Sequence, residues 1–252
     1  DPTTHRINYL RISSGSLSGQ IPPSVGDLPY LKTLIIYKLS NAPAPIHPAI
    51  SKLHSLQFLM LNWINLTGPI PSFLGTLKSL LLLDLAFNNL SGSIPPELGS
   101  LPNLTALHLD RNKLTGNIPL ELGGFPGNPS PNIYLSHNQL TGRIPSTFKN
   151  LRFHSTIDLS RNQLVGDAYM LFGLNKTVQN IDLSRNMLRF NLSKVVLPSG
   201  LTYLDINHNN IYGNLPTQLM RLQFLNVSYN ALCGKIPMGG NLQSFDVFNY
   251  LH

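Results

Sequence analysis

Asp158, Asp182 and Asp205 stand at steps of 24 and 23 residues, and each is followed three residues later by Arg161, Arg185 or His208. Upstream the same offset joins Asp84 to Phe87, His108 to Arg111 and Tyr134 to His137. A row of carboxylates beside a row of guanidinium and imidazole groups suits charge-complementary recognition of a large partner, in which Arg forks pair with carboxylates. Catalysis fits less well. No Ser/His/Asp arrangement has a recognisable motif around it, and the eight histidines show no metal-ligand spacing such as HExxH. No enzyme activity, metal or cofactor is expected. His108, His137 and His208 can instead lend pH sensitivity, since unperturbed histidine titrates at about pH 6.5.

The interval points to the elements that must hold these groups. An asparagine recurs in one neighbourhood (LDLAFNNLSGSIP, LHLDRNKLTGNIP, IDLSRNQLVGD, LDINHNNIYGNLP) at Asn88, Asn112, Asn138, Asn162, Asn186, Asn209 and Asn230. Steps of 24, 26, 24, 24, 23 and 21 residues are those of a leucine-rich-repeat solenoid. Aligned on LxxLxLxxNxLxGxIP, the chain gives ten repeats. Their first leucine positions fall near Ile7, Leu31, Leu56, Leu80, Leu104, Asn128, His154, Val178, Leu201 and Leu222. Each LxLxx segment alternates with period two and reads as a short strand with one buried face. Stacked in parallel at roughly 4.8 Å per repeat, ten strands span about 48 Å.

Returns such as PPELGSLPNL are too short and too rich in Gly and Pro for long helices, so 3₁₀ or single-turn pieces are expected. The expected fold is α/β: a right-handed solenoid with a parallel sheet on its concave side, residues 1–252 forming one domain. The recurring asparagine should turn inward and bond backbone groups of its own and the neighbouring turn. Gly68, Gly92, Gly116, Gly142, Gly166, Gly213 and Gly234 suit a positive φ or a close approach. Three repeats deviate at the ladder position, with Gly15, Ile64, and an Asn41 that comes late after the extra residues KLSNAPAPI.

The register sorts the expected concave face into columns. Between the strand leucines lie Arg11, Ile35, Met60, Asp84, His108, Tyr134, Asp158, Asp182, Asp205 and Asn226. After the second leucine come Tyr37, Asn62, Ala86, Asp110, Ser136, Ser160 and Ser184 among others, and before the ladder asparagine Lys38, Trp63, Phe87, Arg111, His137, Arg161, Arg185, His208 and Tyr229. In the N-terminal half Ile35, Tyr37, Met60, Trp63 and Phe87 make a candidate apolar partner surface. In the C-terminal half like charges about 4.8 Å apart repel by about 0.9 kcal/mol in bulk water, which the neighbouring arginines are expected to cancel in large part. The candidate contact set is Lys38, Met60, Trp63, Asp84, Phe87, His108, Asp110, Arg111, Tyr134, His137, Asp158, Arg161, Asp182, Arg185, Asp205 and His208. LDLSRN is also a common strand in such repeats, so a purely structural role for these residues stays open.

Charged residues are 12% of the chain, about half the usual share of roughly 25%, so the polar surface is mostly Asn, Ser and Thr. A net charge of +7 favours acidic partners. No basic run or recognised motif points to nucleic acid. No stretch reaches the ~18 apolar residues of a membrane span, and no signal peptide is visible. Six N-x-S/T sequons, at Asn65, Asn89, Asn103, Asn175, Asn191 and Asn226, lean toward the secretory pathway and glycosylation. Cys233 stands alone, which in a secreted protein suggests a missing partner.

LxGxIPxxLGxL is the pattern of plant extracellular leucine-rich repeats. The segments that break it are more specific: DPTTHRIN, GDLPYL at 26–31, LDRNKLTG at 109–116, GDAYMLFGLNKTVQNIDLSRN at 166–186, FNLSKV at 190–195 and LCGKIPMGGNLQSFD. Together they closely resemble the polygalacturonase-inhibiting proteins of plant cell walls, over essentially the whole chain. The resemblance implies a secreted wall or apoplast protein that binds fungal polygalacturonases on its concave face. It favours Asp84, Asp110 and Asp158 as an acidic recognition spot for a basic rim of the enzyme, and Lys and Arg clusters for pectin. A monomer is expected. The family also carries cysteine-containing caps that this sequence does not show, which would leave Cys233 a free thiol and the solenoid ends less stable. Antifreeze-protein-like relatives share the architecture, and the Ser136, Ser160, Ser184 column offers a partial array for ice. A ligand-sensing receptor ectodomain would carry the same repeats. The resemblance fixes architecture better than ligand.

Overall fold

The structure, a computed structural model, describes residues 6–15, 21–39, 43–152 and 156–237. Ten strands stack in chain order into one parallel sheet. They are Tyr9–Gly15, Thr33–Leu39, Phe58–Asn62, Leu82–Asp84, Ala106–His108, Asn132–Tyr134, Thr156–Asp158, Asn180–Asp182, Tyr203–Asp205 and Phe224–Asn226. The pairing follows the repeat: Met60 stands opposite Asp84, Asp84 opposite His108, and Asp158 opposite Asp182. Helical connections among the described residues are 3₁₀ segments of three to five residues, such as Pro96–Ser100 and Leu192–Lys194.

Period-two alternation builds the core directly. Leu59, Leu83, Leu107, Ile133, Ile157, Ile181, Leu204 and Leu225, one per repeat, are completely buried. Each such side chain contributes about 1.5–3 kcal/mol relative to an exposed one. The ladder asparagine closes each turn. Asn162 Nδ2 donates to the carbonyls of Leu135 (3.0 Å), Leu159 (3.1 Å) and Ser160 (3.2 Å), while its Oδ1 accepts from the N–H of Leu140 (3.0 Å). Asn88, Asn112, Asn138, Asn186, Asn209 and Asn230 repeat the arrangement. Two glycine columns have separate reasons. Gly116 and its counterparts take φ between 74° and 94°. Gly99, in a 3₁₀ segment, is pressed so close to Glu121 of the next repeat that a Cβ would collide with its carbonyl.

Three features depart from expectation. The residues after the ladder form a second parallel sheet on the flank, from Thr67–Pro69, Asn89–Gly92, Lys113–Asn117 and Gln139–Thr141, followed by two two-stranded pieces. The first leucine position of the sixth repeat is Ser130, not Asn128, because Ile133 pairs with Leu107. Ser130 is buried there and satisfied by Arg152, whose N–H it accepts at 3.1 Å. In the second repeat the ladder position is filled by buried Leu39, opposite Gly15, while Asn41 lies outside the described residues, as does His154. No helix among the described residues is long and apolar enough to cross a membrane.

Candidate protein-binding face

The strand faces that point away from the leucine core carry two columns, not the one read between the leucines. The central column holds Met60, Asp84, His108, Tyr134, Asp158, Asp182 and Asp205 as expected. Two residues earlier on each strand, hence on the same face, lie Phe58, Leu82, Asn180, Tyr203 and Phe224. Extending the period-two pattern backwards past the first leucine would have found them. Rings stack across neighbouring strands: His108 on Tyr134 at 4.2 Å and Tyr203 on Phe224 at 4.3 Å. A shallow depression of about 310 Å³ lies between Tyr134 and Tyr203, with Thr156, Asp158, Asn180 and Asp182 lining it.

The aspartates are not freely exposed. One oxygen of each accepts the N–H two residues on: Asp84 from Ala86 (3.0 Å), Asp158 from Ser160 (3.0 Å), Asp182 from Ser184 (2.9 Å) and Asp205 from Asn207 (3.0 Å). The strand ends there, and a short polar side chain supplies the acceptor that the turning backbone needs. Asp84 and Asp205 are buried, although their column position predicts exposed contacts. Burial raises the Asp84 and Asp205 carboxyls and takes Asp110 and Asp182 to about 6. Burial also pushes Tyr203 up to about 12, with Asp182 and Asp205 adding to the shift.

The arginines do not pair directly with the aspartate row. Among the described residues, no carboxylate of the Asp158–Asp182–Asp205 row comes within 4.0 Å of Arg161 or Arg185; Lys52 pairs with Asp27 at 3.8 Å, and the His108 ring, its protonation disfavoured by burial, lies 3.8 Å from Asp110. The reason lies in the backbone. Lys38, Trp63, Phe87, Arg111, His137, Arg161, Arg185, His208 and Tyr229 all have φ between 51° and 57°, in the left-handed region. The chain turns at that position, so these residues, Lys38 near the end of its strand Thr33–Leu39 and the others past their strand ends, form a rim instead of a row within the sheet. Trp63 stacks on Phe87, and the Arg111 guanidinium sits 5.0 Å from the Phe87 ring centre. His108 is held below the ordinary histidine range by burial; His137 and His208 are lowered by burial and then by neighbouring arginines.

Asp110 belongs to the column after the second leucine, whose side chains lie against the concave aspartates (Asn207 donates to Asp205, and Ser184 bonds Asp182) and are covered by their neighbours. Ala86, Ser136, Ser160, Ser184, Asn207 and Ser228 are buried, so the serine column that alternation offers as an ice-facing array is not on the surface. Of the sequons, Asn103 and Asn175 are exposed, Asn65, Asn89, Asn191 and Asn226 half-buried. Asn89 Nδ2 donates to Asn65 Oδ1 at 2.7 Å, and Asn191 caps a 3₁₀ segment through the N–H of Ser193. Cys233 is exposed and free, its thiol 3.2 Å from Asn214 Oδ1.

A family profile described as Leucine Rich Repeat matches residues 79–101, 103–125, 132–151 and 200–222. The chain is 61% identical over its full length to "Polygalacturonase inhibitor" of Pyrus communis, covering 76% of that protein. It is 58% identical over 98% of its length to "Polygalacturonase inhibitor 1" of Arabidopsis thaliana, covering 75% of it. Among solved structures, that of a plant ice-binding protein superposes with a TM-score of 0.96 at 52% identity, covering all of this chain and 82% of the other. Full-length identity at this level, on a ten-stranded repeat sheet, is membership: the chain belongs to the polygalacturonase-inhibitor family of leucine-rich-repeat proteins, a family of inhibitors and not of enzymes.

Proposed function

We propose that the chain is a secreted plant cell-wall defence protein that inhibits fungal polygalacturonases by docking its concave face over them, and that its basic rim also binds pectin. The observation that carries the reading is the identity of 61% over the whole chain to a protein named as such an inhibitor. The face supports it chemically. An apolar end with Met60, Trp63 and Phe87 gives desolvated contact area, and Asp110, Asp158 and Asp182 give negative charge to a basic partner surface. Arg111, Arg161 and Arg185 form a cationic rim suited to galacturonate carboxylates. Titrating a panel of fungal polygalacturonases with the purified protein tests the reading. Falling activity for at least one isoform is expected, and unchanged activity across the panel would sink it.

The likeness to an ice-binding structure favours a second reading, with the flank sheet in place of the concave one. Thr67, Ser91, Thr115 and Thr141 hold the same position of four successive repeats, although the flank register offsets them, with Ser91 opposite Pro69 and Lys113 and Thr141 opposite Asn117. An ice-recrystallisation assay decides it: crystal growth indistinguishable from a buffer control ends this alternative.

A further inference from the structure

Two aromatic stacks bracket the depression in the concave face. Tyr134 is covered on one side by His108 of the preceding strand, with planes 12° apart, and Tyr203 by Phe224 of the following strand, with planes 6° apart. Stacking runs from strand to strand, so the uncovered faces of Tyr134 and Tyr203 both turn toward the two strands between them. Those strands, Thr156–Asp158 and Asn180–Asp182, put only the short side chains of Thr156, Asn180, Asp158 and Asp182 in the gap, which leaves the depression of about 310 Å³. Each carboxylate has a ring beside it: Tyr134 pairs with Asp158, and Tyr203 with Asn180, two residues before Asp182. Asp158 stands opposite Asp182, one strand spacing of about 4.8 Å away. Both side chains cap the N–H two residues on, so the carboxylates keep that spacing. Among the described residues neither has a cationic partner within 4.0 Å. Two π faces and two unpaired carboxylates in one depression are the components of a site for an organic cation.

We propose that this depression binds a linear aliphatic diamine, one ammonium on Asp158 and the other on Asp182, with its methylenes between the Tyr134 and Tyr203 rings. Spacing selects the ligand. Two nitrogens joined by three methylenes are separated by four single bonds of about 1.5 Å in zigzag, roughly 5 Å end to end, which matches the step between strands. A five-carbon spacer, at roughly 7.5 Å by the same count, overshoots it. A lone ammonium, such as a lysine side chain, neutralises one carboxylate and leaves the other unpaired. The aminopropyl unit of a polyamine such as spermidine meets both. The site does not rest on the inhibitor reading, because it is defined by groups of this chain and a small ligand alone.

Isothermal titration of the full chain at neutral pH and low ionic strength tests it, with propylamine, 1,3-diaminopropane, 1,5-diaminopentane and spermidine as probes. The three-carbon diamine is expected to bind about three- to fivefold tighter than the monoamine or the five-carbon diamine, the worth of one further partly exposed ion pair. Spermidine should bind at least as tightly. Asp158→Asn and Asp182→Asn, in which asparagine can keep the turn cap, should each erase the preference for the three-carbon spacer. Glu97→Gln, a carboxylate lost from a 3₁₀ segment outside the sheet, should bind as the parent does. Tyr203→Leu should lower the affinity for both diamines; an unchanged value would remove the ring from the site. No binding of any diamine, equal affinity for the two spacers, or binding that survives Asp158→Asn/Asp182→Asn would overturn the proposal. Inhibition of polygalacturonase is measured separately, so either result leaves that reading as it stands.

Discussion

The Trp63 indole lies flat on the Phe87 ring, with centroids 4.3 Å apart and planes 17° apart. Both residues have a left-handed backbone with φ of 57°, a conformation that costs a non-glycine residue about 1–2 kcal/mol. Successive repeats place the same strained position one strand apart, which brings the rings into register. The adjoining ladder residues, Ile64 and Asn88, hold that strain in place because both are buried in the core.

Trp63→Ala tests whether this rim is a contact surface. Trp63 is 48% exposed, so truncation should change stability little. At the centre of an interface the loss of such a ring costs about 2 kcal/mol or more, roughly thirtyfold in affinity. The expected outcome is an inhibition constant weakened by about that factor with an almost unchanged melting temperature. Unchanged inhibition would move the contact surface off the aromatic rim.

Arg161→Gly separates rim chemistry from rim backbone. Glycine adopts φ of 52° without the Cβ penalty, and Arg161 holds its place in the sheet through backbone bonds, its N–H to Ser184 and its carbonyl to Asn138. The variant should melt higher, by about 1 kcal/mol of added stability, while its affinity for polygalacturonate falls. A lower melting temperature would show that the arginine side chain contributes packing.

Asn162→Ala removes a buried side chain that donates three bonds and accepts one. Buried groups left without partners cost about 1–3 kcal/mol each, partly offset where a carbonyl has a second partner. A loss of about 3 kcal/mol in denaturant unfolding is expected, against less than about 1 kcal/mol for an exposed position such as Gln163→Ala.

The leucine core, the positive-φ glycines, the ladder from Asn88 onward and the strand register outside the second and sixth repeats were legible because each follows from period alone. What period does not encode is where a side chain goes once the strand has ended. Lys38, Trp63, Arg161 and Tyr229 share no turn-forming chemistry, yet all are left-handed, even Lys38 and Trp63, which precede a buried Leu39 and Ile64 in place of the ladder asparagine; the buried ladder position after each of them dictates the backbone. For the same reason Ser160 and Ser184 looked exposed by alternation and are buried. Asp158 and Asp182 looked like free charges, yet each caps the turn beyond its strand. Lys176, within the GDAYMLFGLNKTVQN segment, holds the carbonyls of Phe148, Lys149 and Leu151, a role that no spacing rule announces.

Asp110 and Asp182 give the face a defined pH dependence. Burial raises each to about 6 in the fold, against an ordinary value of 3.8. Between those values the folded chain binds more protons than the unfolded one, so stability falls as pH rises from about 4 to 6 and levels off above. Asp182→Asn should therefore melt higher than the parent at pH 7, with the difference vanishing toward pH 4. Asparagine can keep the cap on Ser184, as Asn226 does for Ser228. Binding runs the other way. The carboxylates that would attract a basic partner are half charged at about pH 6 and approach full charge at about pH 7. Inhibition by the parent should then weaken as pH falls from 7 to 5, and Asp110→Asn/Asp182→Asn should flatten that dependence. Isothermal titration with one inhibited enzyme across this range is the measurement. A pH profile identical in the parent and the double variant would remove these two groups from the interface.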